Sequence, residues 1–198
     1  MKTTNKTRKS KILALFLSVM MLSSMGAIFA SCGDGDDSSA SMKVDSSKGS
    51  IVVETPRTSG FHAEEGVVTA GPLRCATDGS PTTVFAISLD GQNIERSRRI
   101  LLTHLTDVQA EGSVFSDSSR TLLCDWGAGG CVARDGRAEV RLKIASAERM
   151  EVYALGTDGA RKCRVPSKHD GGELRFTADV RQRFGACFHY EITVGSLH

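Results

Sequence analysis

The chain has 198 residues, 40% of them apolar and 24% charged, with a formal net charge of +2. At about 100–200 residues per domain, that length predicts a single domain. Five of its 25 basic residues, Lys2, Lys6, Arg8, Lys9 and Lys11, precede residue 32 with no acidic residue among them, leaving 20 basic against 23 acidic residues beyond; that balance argues against the basic surface a nucleic-acid-binding domain wants, so no nucleic-acid partner is expected.

The basic start runs into the apolar stretch ILALFLSVMML (12–22) and then into small residues, the pattern of a secretory signal peptide, here residues 1–31. The run alone is shorter than the about 20 apolar residues a bilayer requires. Extended to Ala30 it becomes a borderline span, so an uncleaved anchor is the alternative. FASC (29–32) resembles the lipobox of bacterial lipoproteins, in which an apolar residue and two small residues precede the cysteine that becomes the lipidated N-terminus. The resemblance implies lipidation at Cys32, with acyl chains holding the protein to a membrane through about 0.8 kcal/mol per buried methylene. The expected location is therefore a bacterial cell envelope, as an exported, membrane-anchored lipoprotein. Ordinary cleavage after Ala30 would instead give a soluble secreted or periplasmic protein.

Residues 32–48 are acidic and serine-rich, GDGDDSSASMKVDSS following the cysteine. Such a composition buries too little apolar surface to order itself and predicts a flexible tether. Its DGDD lacks the later ligands and closing Glu of a calcium loop, so no metal is expected.

Residues 49–198 predict one β domain. Short apolar or β-branched runs alternate with Gly, Asp and Ser. SIVVETPR is a first strand ended by Pro56, and GVVTAGPLRCATDG is a second, interrupted at its GP. TTVFAISLDG, RRILLTHLTDV, RTLLCDWG, CVARDG and AEVRLKIAS follow. RMEVYALGTDGARKCRVP is the clearest hairpin, and GELRFTADV and GACFHYEITV close the chain. Leu174, Phe176, Ala178 and Val180 alternate with polar residues, a period of two with one face inward. No stretch carries a helical stripe. About nine short strands predict an all-β fold, a two-sheet antiparallel β-sandwich, and the missing βα alternation excludes a parallel barrel or doubly wound sheet.

Six cysteines are present, Cys32, Cys75, Cys124, Cys131, Cys163 and Cys187, without a CxxC pair or zinc-ligand spacing. With Cys32 lipidated, five remain. They read as buried free thiols acting as small hydrophobes; if one bridge exists, Cys124 and Cys131, which flank DWGAGG, are the candidate pair.

Catalytic signals are weak. Glycosidases need two placed carboxylates, but Glu64 and Glu65 are adjacent and would point to opposite faces of a strand; they read as loop charges. His104 and Asp107, three apart, also diverge on a strand, so His104 reads as a partly buried, hydrogen-bonded strand residue. No GxSxG occurs, and GAGG (127–130) lacks the Lys-Ser/Thr of a phosphate loop. No cofactor is expected. The lone Trp126 reads first as a core residue packed against the other sheet; the alternative makes it the best single candidate for a glycan contact, by stacking on a pyranose face.

At VVETPRTSGFHAEEG, SLDGQNIERSRRILLTHLTDVQAEG and EVYALGTDGARKCRVP…GGELRFTADV, the chain resembles the C-terminal β-sandwich accessory domain of large bacterial glycoside hydrolases whose catalytic part is a TIM barrel. The likeness runs over about residues 49–194; its most specific part is SLDG, then Ser97 and the run 98–102. In those enzymes the catalytic carboxylates belong to the barrel, which needs about 250 residues, so the resemblance implies no catalytic residue here. It implies a non-catalytic module with a structural or docking role beside a glycoside hydrolase, or alternatively one that binds polysaccharide directly, or the remnant of a truncated hydrolase.

Overall fold

The computed structural model describes residues 40–45, 49–64 and 66–195. The expected signal peptide, Cys32 and Glu65 lie outside the described residues. Gln109–Val132 forms one compact unit, and the flanking residues up to Val108 and from Ala133 form another.

In chain order the first strands are β1 (Ser41–Asp45), β2 (Ser50–Glu54), β3 (Thr58–Ala63), β4 (Val67–Ala70), β5 (Leu73–Thr77), β6 (Thr82–Ser88) and β7 (Arg99–Leu105). Four short strands follow: β8 (Val108–Ala110), β9 (Val114–Phe115), β10 (Leu123–Asp125) and β11 (Cys131–Ala133). Then come β12 (Arg137–Lys143), β13 (Met150–Leu155), β14 (Arg161–Val165), β15 (Ser167–Asp170), β16 (Glu173–Asp179), β17 (Arg181–Gln182), β18 (Gly185–Ala186) and β19 (His189–Val194).

The larger unit is the predicted β-sandwich. One sheet has the order β1-β2-β3-β6-β7-β19-β13-β14 and the other β15-β16-β12-β5-β4, and the pairings within each are antiparallel. The period-two pattern sets which side chains face inward. Val84, Ala86, Ile100, Leu102, Val152 and Ile192 from the first sheet meet Leu73, Val140, Leu142, Leu174 and Phe176 from the second, all buried. Burying each of the larger side chains contributes about 1.5–3 kcal/mol. Phe176 and Tyr190 bring the sheets together directly, with ring centroids 5.9 Å apart. The Tyr190 hydroxyl then donates to the Asp179 carbonyl at 2.7 Å, so this buried phenol has its partner.

β1, β3 and β15 are among the strands absent from the sequence expectation, as are the two-residue strands β9 and β17. β3, TSGFHA, has a glycine in its middle, which masks its alternation. Gly60 is buried opposite Phe85, and a Cβ there would fall 2.3 Å from the Phe85 ring; the ring covers the glycine and fills the missing side chain's space. β15, SKHD, carries no apolar signal and is held by its ladder to β16. β1 lies inside the expected tether. Ser41–Asp45 pairs with β2 along its whole length, from Ser41 opposite Glu54 to Asp45 opposite Ser50. Met42 and Val44 stay exposed, so backbone hydrogen bonding to an open sheet edge orders a segment whose side chains bury little. GVVTAGPLRCATDG also resolves into two strands, a β4–β5 hairpin turned at Gly71, whose φ of +51° suits glycine.

The loop SLDGQNIERS is organised by one carboxylate. Asp90 Oδ1 accepts from the Ser97 hydroxyl at 2.8 Å, the Ser88 hydroxyl at 2.9 Å and the Gln92 N–H at 3.3 Å, and Oδ2 from the Arg98 N–H at 2.7 Å. The segment that carries the strongest part of the resemblance is thus a turn gathered around one carboxylate; it is tied to its surroundings by the Ile94 N–H donating to the Pro56 carbonyl at 2.9 Å and by buried Ile94, and it sets the start of β7.

Candidate functional site

In the unit Gln109–Val132, β8 pairs with β11 and β9 with β10. These are short ribbons, and the segment leaves Val114, Leu122, Trp126 and Val132 exposed. Trp126 is the extreme case at 79% exposure, which overturns the core reading of this residue. Its main chain, by contrast, is held at the peptide that follows it, through both the carbonyl and the N–H. The Ser113 hydroxyl donates to the Trp126 carbonyl at 3.0 Å, and the Gly127 N–H donates to the Asp125 carboxylate at 2.9 Å. Gly127 has φ +73°, and a Cβ there would lie 2.2 Å from the Glu111 carbonyl oxygen. GAGG is therefore a turn in tight contact with backbone, and only glycine fits at 127. The result is a large indole held out in water on an ordered main chain.

Phe115 is covered by Arg120, whose guanidinium carbon sits 4.7 Å from the ring centroid, and Arg120 also donates to Gln109 at 2.7 Å. Trp126 thus remains the fully presented aromatic of this unit.

Cys124 and Cys131 do not form the candidate disulfide. Cys124 lies in β10 and Cys131 in β11, strands of different ribbons, and both are exposed free thiols. Cys163, on β14, is also exposed and free. The buried-thiol reading applies to Cys75 and Cys187 alone. Burial pushes the Cys75 thiol up to about 12 and raises that of Cys187, so both are inert packing groups.

His104 is fully buried on β7, with Nε2 3.2 Å from the Thr82 hydroxyl. Burial lowers its pKa, against the opposing influence of Asp78 and Asp179, and keeps the imidazole neutral. Asp107 lies beyond the end of β7, so the two form no dyad on that strand. Glu64 is exposed in the turn after β3. Among the described residues no group of three or more His, Cys, Asp or Glu side chains is placed to hold a metal.

A second feature is visible only through strand register. On the outward face of the five-stranded sheet, Lys168 lies opposite Arg175, Arg175 opposite Arg141, and Arg141 opposite Arg74. Four basic side chains therefore stand in one row across β15, β16, β12 and β5. The row lines an open groove of about 620 Å³, to which Glu139 and Thr177 also contribute. The strand RAEVRLK shows its basic residues in the sequence, but nothing in a single strand says what stands beside them.

No family model matches this chain, and neither does a curated protein or a solved structure.

Proposed function

We propose that the protein is a non-catalytic β-sandwich module of a bacterial cell envelope that contacts glycan through Trp126. The observation that carries this reading is the 79% exposure of the indole on a pinned backbone. A tryptophan costs least when buried and is the side chain most used at contact surfaces. Keeping it exposed and preorganised reduces the entropy that binding would otherwise cost. The flat apolar face of an indole matches the C–H face of a pyranose ring. The resemblance to a glycoside hydrolase accessory domain supports the same class of ligand. Export and lipid attachment at Cys32 belong to this reading and would hold the module at the membrane, so the chain supplies contact and leaves bond cleavage to a partner enzyme.

Docking onto such an enzyme is the second reading. It is favoured by Leu122 and Val114, exposed at 60% and 53% in the same unit, because exposed aliphatic side chains suit a protein partner better than a sugar. Calorimetric titration with soluble neutral polysaccharides tests the first reading. The expected result is binding that falls at least tenfold in Trp126→Ala with the circular dichroism unchanged. Equal binding by that variant, or no binding by the parent to any polysaccharide, would withdraw it.

A further inference from the structure

We infer that the row Lys168–Arg175–Arg141–Arg74 is a binding track for an acidic polysaccharide, one extended chain carrying carboxylate or sulfate groups along its length. Basic side chains directly opposite one another on a sheet repel and destabilise it. A cross-strand row of four calls for a compensating anion. Little of that compensation is internal. Arg175 pairs with Glu173 at 2.6 Å and Asp170 at 3.1 Å. Arg74, Arg141 and Lys168 are exposed and make no side-chain hydrogen bond or ion pair with any described residue. The nearest groove carboxylate, Glu139, accepts instead from the Thr177 hydroxyl at 2.8 Å.

The shape of the charge decides the class of ligand. Strands lie about 4.8 Å apart, so four positions span about 14 Å. The row is one residue wide except at β12, where exposed Lys143 stands beside Arg141 and opposite Glu173. Asp170 and Glu173 stand in the adjacent row on one side, and Glu139 in the adjacent row on the other. Those acids would meet the phosphates of a membrane surface or a nucleic-acid duplex, which present charge in two dimensions. A single extended chain avoids them. Single-stranded nucleic acid is disfavoured for another reason: it binds through stacked aromatics, and the one aromatic lining the groove, Phe176, is buried with its side chain in the core. Glu139 and Thr177 add a hydroxyl-seeking edge to the cationic track. A polymer that is both hydroxylated and acidic can lay its anionic groups along the basic row and turn hydroxyls towards Glu139 and Thr177. The track lies in the sandwich unit, does not include Trp126, and stands or falls apart from the reading built on that residue.

Affinity electrophoresis of the full mature chain tests it, with polygalacturonate for carboxylate and dextran sulfate for sulfate in the gel, and oligo(dT) and anionic phosphatidylserine vesicles as competitors. Retardation by one or both acidic polymers is expected, and the better of the two names the anion. It should weaken as salt rises and fall at least tenfold in Arg141→Gln and in Arg74→Gln. Because each substitution relieves like-charge repulsion, the midpoint of thermal unfolding should hold or rise, a result that loss of folding would not produce. The salt-sensitive retardation should survive in Trp126→Ala, while the salt-insensitive binding of neutral glycan should survive in Arg141→Gln. No retardation by either polymer, retardation unchanged in both arginine variants, or displacement by oligo(dT) or vesicles at lower concentration than by free acidic polymer would overturn the inference.

Discussion

Asp90 shows how much one side chain organises. Its carboxyl is held at about 2, below the ordinary 3.8. Desolvation pushes the other way but is outweighed by the Arg98 N–H, the Ser97 and Ser88 hydroxyls and the Gln92 N–H. The unfolded chain takes up this proton near pH 3.8 and the folded chain only near 2. Asp90 therefore contributes its full stabilisation above pH 3.8 and loses it as pH falls towards 2. Asp90→Asn should lower stability at pH 7 by about 1 kcal/mol, a figure discounted for solvent screening of an exposed group. Urea titrations at several pH values should show the gap between parent and variant closing below pH 4. A gap that stays constant down to pH 2 would mean the charge has no part in holding the loop. At the same scale, Glu191 ties together Arg99 at 2.7 Å and Arg161 at 2.6 Å on the outer face of the larger sheet. The two hydrogen-bonded arginines hold its carboxyl below the usual range, with desolvation opposing them.

Strands with strong alternation are legible from the amino-acid sequence alone. GELRFTADV places Leu174, Phe176, Ala178 and Val180 inward as expected, and AEVRLKI, expected as a strand, shows the same alternation with Ala138, Val140 and Leu142 buried. Strands held mainly by backbone pairing are not legible in this way, because their side chains carry no period. β1 and β15 are of this kind, and β3 is hidden by Gly60. β1 also gives the sheet its outer edge. Removing residues through 45 should bare the β2 edge, a row of unpaired N–H and C=O groups that recruits another chain. Light scattering should then show concentration-dependent self-association that is absent when the cut is made before residue 40. A monomer of unchanged stability after the longer deletion would mean β1 protects nothing.

For the whole molecule, the two candidate surfaces differ in how the sequence reveals them. Trp126 could be singled out because it is the chain's one tryptophan, yet its exposure depends on Gly127 and Ser113, residues whose contacts no sequence pattern announces. The basic row is the opposite case. Its four residues are scattered between Arg74 and Arg175, which lie 101 positions apart, and a near-neutral overall balance conceals them. Register alone aligns them, and register follows from which residues the core accepts. Because Trp126 is the sole tryptophan, one measurement decides whether it contacts glycan: acrylamide quenching of intrinsic fluorescence, with and without polysaccharide. An exposed, glycan-binding indole gives red-shifted emission quenched nearly as readily as free indole, then a blue shift and protection when glycan is added. Blue, quench-resistant emission from the protein alone, or an accessible indole that no polysaccharide protects, would contradict it.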